Sequence, residues 1–276
     1  MQITFLGTAG PDQIPSPFCN CPRCTYARTH RGKDIRKRCC YLINDDLLID
    51  MGADLFVACH THNVDLMNVS SILVTHNHHD HFYPENLATR RIGFPDEKEK
   101  PLLTLVGPPS VMAKLSTVRM DERAAGLKRR PILPFETIQV DRYKVTAIRA
   151  THQHDVGDAV NYLIDDGQKK VLIASDTAVY REDVWPYLAD KQLNYLIIEC
   201  GVGVNEANQS GKTRHLSVSG VRTMVKKMQE IDAIGPETEM IATHFIHKHC
   251  LSHHEMERIL GQFNVKCAYD GLVVNV

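Results

Sequence analysis

Short apolar runs recur along the whole chain, with helical patterns between them. Runs long enough for a strand lie at 2–6, 47–50, 71–75, 102–106, 143–149, 160–164, 170–174, 194–199 and 239–243, with a last pair near 265–276. Helical patterns lie at roughly 52–62, 84–92, 109–119, 181–191, 216–231 and 252–262. Because strands and helices interleave from end to end, the pattern predicts an α/β or layered α+β fold. With no internal repeat or linker, we expect 1–276 to be a single domain.

The composition excludes several classes of protein. A content of 43% hydrophobic and 24% charged residues is typical of a globular chain with a sizeable core. The net charge of -1 argues against a protein that coats nucleic acid or a membrane surface. We find neither an apolar stretch of about 20 residues nor a secretory signal pattern. The nine cysteines therefore suit metal binding or burial better than a disulfide framework, and we expect the cytoplasm as the compartment.

One apolar run leads directly into a cluster of metal-ligand side chains, His76, His78, Asp80 and His81. Alternate residues of an extended segment point to the same side, so His76 and His78 share a face. A turn near Asp80 would bring Asp80 and His81 back towards them. Imidazole and carboxylate groups suit Zn, Mn or Fe. The cluster predicts the start of two adjacent metal sites, with a solvated histidine-rich loop as the alternative; His79 has the opposite parity and is left out.

Further ligands must come from other loops, and three candidates directly follow apolar runs: His152, Asp176 and His244. An aspartate can bridge two cations because its two oxygens point at different metals. A helix N-cap is the alternative role for Asp176. His154 competes with His152, which we favour because it directly ends its strand.

The order H-x-H-x-D-H, then His, Asp and His after separate strands, resembles the metallo-β-lactamase superfamily. Leu48–Gly52 (LIDMG) resembles the early L-I-D-x-G turn of that superfamily. The resemblance implies an αββα sandwich of two mixed β-sheets flanked by helices, with two divalent metals, Zn or Mn, at one end. It implies one metal on His76, His78 and His152, the other on Asp80, His81 and His244, and a bridging Asp176.

A second metal site is indicated by C-x-C-x-x-C at Cys19, Cys21 and Cys24. Zinc–thiolate sites take four ligands, and His247, three residues after His244, is available as the fourth. A disulfide and three unrelated buried cysteines are the alternatives. Following a G-T-x-G strand, and with T-H-x-x-H near the C-terminus, the motif resembles the phosphoribosyl cyclic phosphate phosphodiesterases of phosphonate breakdown. That resemblance implies a structural zinc that pins the N-terminal loop to the C-terminal strand.

The same family has a histidine, between the bridging aspartate and the last ligand, that contacts the substrate phosphate. His215 fits this place, at the start of a helical pattern whose positive end favours an anion; an ordinary loop histidine is the alternative. The resemblance implies cleavage of a phosphodiester, such as a small cyclic ribose phosphate, by a hydroxide held between the metals. Asp80 would orient the nucleophile, and His215 would stabilise the developing charge or protonate the leaving group.

Two other functions stay open. A ribonuclease Z-like endonuclease shares the metal cluster but adds an arm for RNA, whereas here we see only short basic clusters at Arg90–Arg91 and Lys128–Arg130. A pyrroloquinoline quinone biosynthesis-like protein has a C-x-C-x-x-C site but a degraded catalytic cluster, which differs from the intact set here. We therefore expect a small-molecule substrate rather than nucleic acid, and no membrane partner; a homodimer is compatible with the sequence.

Overall fold

The computed structural model describes residues 1–90, 102–152, 156–205 and 214–276. Its strands are β1 Gln2–Gly7, β2 Cys40–Ile43, β3 Leu47–Ile49, β4 Ser71–Leu73, β5 Leu103–Gly107, β6 Leu127–Pro131, β7 Thr137–Val140, β8 Tyr143–Arg149, β9 Val160–Asp165, β10 Lys170–Ala174, β11 Tyr195–Glu199, β12 Glu239–Thr243, β13 Val265–Cys267 and β14 Val273–Asn275. The α-helices are α1 Pro22–His30, α2 Leu55–His62, α3 Pro109–Leu115, α4 Trp185–Leu188, α5 Val218–Glu230 and α6 His253–Gly261. Two 3-10 turns lie at Gly32–Asp34 and Pro84–Arg90.

The strands form two seven-stranded mixed sheets. The first has the order β14-β1-β2-β3-β4-β5-β6 and the second the order β13-β12-β11-β10-β9-β8-β7. In the first sheet β3 to β6 run parallel, and in the second β10 to β13 do. The remaining neighbours in both sheets are antiparallel. The predicted catalytic ligands follow the carboxyl ends of the parallel strands β4, β10 and β12, except His152, which follows the antiparallel β8.

Three apolar cores hold four layers together. The inner faces of the two sheets meet through side chains such as Phe5, Tyr41 and Tyr162. Helices α2 and α3 cover the outer face of the first sheet, and α5 and α6 cover that of the second. The predicted αββα sandwich is therefore confirmed. Within the described ranges, the helices are all too short or too polar to cross a membrane.

Helices α5 and α6 each begin at a serine that caps the first turn. The Ser217 side chain accepts from the Gly220 amide and starts α5, whose buried residues recur at helical spacing. Ser252 and Glu255 form a reciprocal capping box at the start of α6. These two predicted helices, 216–231 and 252–262, agree with the structure within two residues.

Several elements differ from the sequence prediction. Strands β2, β6 and β7 and helix α1 were not predicted. β6 reads LKRRP and is a charged edge strand, so it lacks the apolar pattern of a buried strand. α1 has no apolar stripe, because its buried residues are Arg23, Cys24 and Ala27.

Other predicted helices are shorter than expected. The helix predicted at 181–191 is reduced to α4, since Pro186 lacks an amide hydrogen and is tolerated only in a first turn. The pattern at 84–92 forms the 3-10 turn up to Arg90, and its last two residues lie outside the described ranges. The helices predicted at 52–62 and 109–119 span 55–62 and 109–115.

Candidate metal centre

The seven side chains predicted as catalytic metal ligands lie together where β4, β8, β10 and β12 end. Six of them are buried, and His78 is half-buried. The backbone is left-handed at Asp176, with φ +50°, and at His244, with φ +56°. This conformation costs an L-residue roughly 1–2 kcal/mol, and such strain is concentrated at functional sites. Both residues are therefore held by their surroundings in a turn that a free strand end would avoid.

The first ligand set contains His76, His78, His152 and Asp176. His76 Nε2 lies 2.9 Å from His78 Nδ1, which lies 3.3 Å from His152 Nε2. Asp176 Oδ2 lies 3.5 Å from the Nε2 atoms of both His76 and His152. The His152 Nδ1 donates to the Arg214 carbonyl at 2.9 Å, which leaves Nε2 facing the set. His152 thus occupies the predicted position, and its rival His154 lies outside the described residues.

The second ligand set contains Asp80, His81, His244 and the same Asp176. His81 Nε2 lies 3.3 Å from Asp80 Oδ2, from Asp176 Oδ1 and from His244 Nε2. His244 Nε2 lies 3.7 Å from Asp80 Oδ2 and 2.6 Å from Asp176 Oδ1. Asp176 therefore turns one oxygen to each set.

These spacings fit metal ions. Ligand atoms at zinc-type bond lengths in a tetrahedral site lie about 3.3–3.6 Å apart, close to most distances within both sets. The donor atoms are imidazole nitrogens and carboxylate oxygens, which suit Zn and Mn. Each set thus forms a candidate site for one divalent cation.

Charges in the two sets differ. Burial and the neighbouring imidazoles hold the pKa of His76 well below its ordinary value, so the ring keeps a free lone pair. Burial would raise the pKa of Asp176, but His244 and His81 hold it well below its usual range. Burial would lower the pKa of His81 and His244, yet the carboxylates raise both well above the ordinary value. The second set therefore attracts positive charge strongly.

Asp50 orients one ligand from behind. It is fully buried, and its Oδ2 lies 2.6 Å from His81 Nδ1. The backbone amide and hydroxyl of Thr75 donate to Oδ1 at 2.8 and 3.0 Å. With Nδ1–H donating to Asp50, His81 presents Nε2 to the metal position. The sequence analysis included Asp50 in the LIDMG turn but assigned it no role. A carboxylate at the end of an apolar run is the same pattern that selected the candidate ligands.

Glu199 was missed by the sequence analysis and holds His215. It ends β11 and is fully buried, and its Oε1 accepts from His215 Nδ1 at 3.0 Å. The ring of His215 lies against His152 and stacks on His244, with centroids 5.0 and 5.4 Å away. Burial lowers the pKa of His215, but the Glu199 carboxylate raises it above the ordinary value. The signal for Glu199 was the same as for the ligands, an acidic residue at the end of an apolar strand.

A cavity of about 350 Å³ opens onto both sets. It is lined by metal-ligand residues and by a few others, which are Pro11, His79, Arg214 and His215. His79, excluded as a ligand on parity, belongs to neither ligand set among the described residues. His215 is therefore placed to meet a substrate that lies over the metal positions.

The cysteine cluster forms a separate group, and its ligand atoms lie within 4.8 Å of one another. His247 Nδ1 lies 3.6 Å from Cys21 Sγ and 3.4 Å from Cys24 Sγ. Sulfur and nitrogen ligands of a tetrahedral zinc lie about 3.6 Å apart, so the geometry fits one zinc ion. The three thiols are free, which contradicts the disulfide alternative.

The two thiols nearest His247 differ in their electrostatics, and burial raises the pKa of the Cys24 thiol to about 11. Burial raises the pKa of the Cys21 thiol, but hydrogen bonds, the strongest with His247, lower it to about 6. Thiolate is the form that binds metal. His247 Nε2 lies 3.3 Å from Asp12 Oδ2, the arrangement that orients metal-bound imidazoles.

A family model described as "Beta-lactamase superfamily domain" matches residues 46–245. The chain belongs to the metallo-β-lactamase superfamily. The matched region includes both candidate ligand sets, whereas the cysteine motif and His247 lie outside it.

Solved structures share the fold along the whole chain. Zn²⁺-bound PqqB from Methylobacterium extorquens has a TM-score of 0.77 at 18% identity, over 100% of both chains. A diphosphatase from the PhnP family has a TM-score of 0.76 at 18% identity, over 99% of this chain and 96% of that one. Human tRNase Z, short form, has a TM-score of 0.68 at 16% identity, over 100% and 99%. None of the curated proteins compared with the chain matches it.

Proposed function

We propose that the chain is a dinuclear metal-dependent phosphodiesterase that hydrolyses a small cyclic ribose phosphate. The observation that carries this proposal is the Asp176 carboxylate, whose two oxygens are divided between two complete ligand sets. His215 lines the same cavity, where a phosphate over both sets would meet its imidazole. The superfamily consists mostly of hydrolases, and the ligand sets are intact here.

The proposed reaction needs two bound cations, an oriented water and a group that contacts the phosphate. Two bound divalent cations, zinc or manganese, would neutralise phosphoryl oxygens and make a water acidic enough to attack at neutral pH. Asp80 contributes one oxygen to the second set and orients the attacking water. His215, held through Nδ1 by Glu199, uses Nε2 to bind a phosphoryl oxygen or to protonate the leaving alkoxide.

Four observations favour a small substrate over RNA. The cavity of about 350 Å³ suits a sugar phosphate, and the net charge of -1 gives little attraction for a polyanion. The cysteine cluster with His247 also matches the motif of the cyclic phosphate phosphodiesterases. One structural neighbour is a diphosphatase of the PhnP family, so hydrolysis of a small phosphate has a precedent on this fold.

Two neighbours define the competing proposals. Human tRNase Z suggests cleavage of a tRNA precursor. PqqB is the neighbour that corresponds to the alternative of the sequence analysis, a pyrroloquinoline quinone biosynthesis-like role without hydrolysis. The test is a parallel screen of cyclic ribose phosphates, linear diesters, tRNA precursors and thioesters, each with Zn and with Mn. The Asp176→Ala variant serves as the control for contaminating activity.

We expect turnover of a cyclic ribose phosphate that is lost in Asp176→Ala. Preferential cleavage of the tRNA precursor would replace the proposal by the ribonuclease function. Absence of hydrolysis in every arm, with metals bound, would favour the PqqB-like role.

A further inference from the structure

Lys114 connects helix α3 to the metal-ligand loop. Its Nζ donates to the backbone carbonyl of Asn77 at 2.8 Å and to that of Phe82 at 2.6 Å. The side chain is half-buried, so solvent screens these contacts only in part. Hydrogen bonds from an ammonium group are stronger than those between neutral groups. One cation thus ties together two points of the backbone that are five residues apart.

The segment between those two carbonyls carries ligands of both sets. His78 belongs to the first set, and Asp80 and His81 belong to the second. Inside the segment, the amides of His81 and Phe82 donate to the His78 carbonyl at 3.2 and 2.8 Å. The conformation of this short turn therefore affects how far His78 lies from Asp80 and His81.

The opposite side of the turn is held by backbone bonds to Met51 and by the Asp50 side chain, which contacts His81 Nδ1 at 2.6 Å. Met51 donates from its amide to the His81 carbonyl and accepts from the Tyr83 amide, both at 2.7 Å. These bonds attach the exit of the turn to the end of β3 and do not reach Asn77. Lys114 contacts both ends, and its long stem brings the charge there from a different element, α3.

We propose that Lys114 is a positioning residue that sets the spacing between the two metal positions. The inference rests on the proposed function, because it assumes cations in both ligand sets. A neutral side chain at 114 would release the Asn77 and Phe82 carbonyls and let the His78–His81 turn open. Binding of the second cation, which depends on two ligands of this turn, would suffer most.

The test compares Lys114→Met, Lys114→Gln and Lys114→Arg. The matched control is Lys170→Met, since Lys170 is also half-buried and donates to a backbone carbonyl, that of Lys191 at 3.2 Å. It stands at the start of β10, whereas Asp176 follows its end. Stepwise zinc affinity is measured by competition with a chromophoric chelator, together with thermal unfolding, kcat and KM.

We expect Lys114→Met and Lys114→Gln to weaken the binding of the second catalytic zinc about 10-fold or more. Both variants should lower kcat more than they raise KM. Lys114→Arg, which keeps the positive charge, should retain most of the zinc affinity and most of kcat. Lys170→Met should behave as wild type. A folded Lys114→Met or Lys114→Gln variant with wild-type affinity for both ions would overturn the proposal. So would an equal loss in Lys114→Arg. A wild-type chain that takes up no cation in these sets would instead refute the proposed function on which the inference rests.

Discussion

The imidazole of His215, which lines the cavity, donates from Nδ1 to Oε1 of the fully buried Glu199, 3.0 Å away. Glu199 also accepts from the amides of Thr177, Gly201 and Leu216. Because three backbone groups fix the carboxylate, it cannot rotate away from the imidazole. The Glu199 carboxylate therefore determines the direction in which His215 presents Nε2.

His215→Ala should lower kcat on bis(4-nitrophenyl) phosphate by about 10²-fold, the contribution of one positioned acid or hydrogen-bond donor. Metal content should not change, since His215 is outside both catalytic ligand sets. Turnover and metal analysis on the same preparation check this. His60→Ala, which removes an exposed histidine from α2, is the control. Near-normal turnover would remove His215 from the mechanism.

Glu199→Gln should reduce stability as well as activity. Two groups approach each oxygen, so the amide nitrogen of a glutamine must face at least one backbone N–H group on whichever side it lies. Each buried unsatisfied donor costs about 1–3 kcal/mol. We expect the free energy of unfolding in urea to fall by roughly 2 kcal/mol or more, and by clearly less in His215→Ala. Equal stability of the two variants would contradict this role of Glu199.

Metal removal should separate the two kinds of site. A His76→Ala, His78→Ala variant should lose catalytic metal and activity but keep zinc bound by the cysteines and His247. Cys21→Ser, Cys24→Ser should lose that zinc and unfold at a lower temperature, because the site links the N-terminal loop to the segment after β12. Metal analysis after dialysis measures both. A histidine variant without any zinc would contradict a separate site.

The sequence predicted which side chains meet in the candidate ligand sets better than it predicted the residues that support them. Each ligand follows an apolar run, so residue type and strand periodicity together were enough to select His76, Asp176 and His244. The partners of Asp50 and Glu199 lie 31 and 16 residues away, and a single carboxylate does not show which imidazole it will meet. These contacts depend on which strands and loops become neighbours in each sheet, which local patterns do not encode.

The same reason explains the elements that were missed. β6 and α1 have no apolar periodicity, because one is a charged edge strand and the other buries an arginine and a cysteine. Their positions are set by the strand or loop against which they lie. The contacts of Lys114 also depend on tertiary packing, since nothing in the sequence around Lys114 distinguishes it from a surface lysine.

His253 should make the protein less stable in mild acid. Its Nδ1 accepts from the Arg36 guanidinium at 3.0 Å, and burial together with this cation lowers the pKa of His253 to about 4. The unfolded chain, with an ordinary histidine pKa of about 6.5, binds this proton more readily. The contribution of the neutral ring is therefore complete above pH 6.5 and is lost as the pH falls towards 4.

Between pH 7.5 and 5 this single group should reduce the free energy of unfolding by about 2 kcal/mol. His253→Gln, whose side-chain oxygen can still accept from Arg36, has no proton to gain. We therefore expect its urea midpoint to approach or exceed that of wild type at pH 5, although it starts lower at pH 7.5. Other titrating groups are common to both proteins, so they cancel in the difference. Parallel curves for the two proteins over this range would show that His253 titrates normally in the folded state.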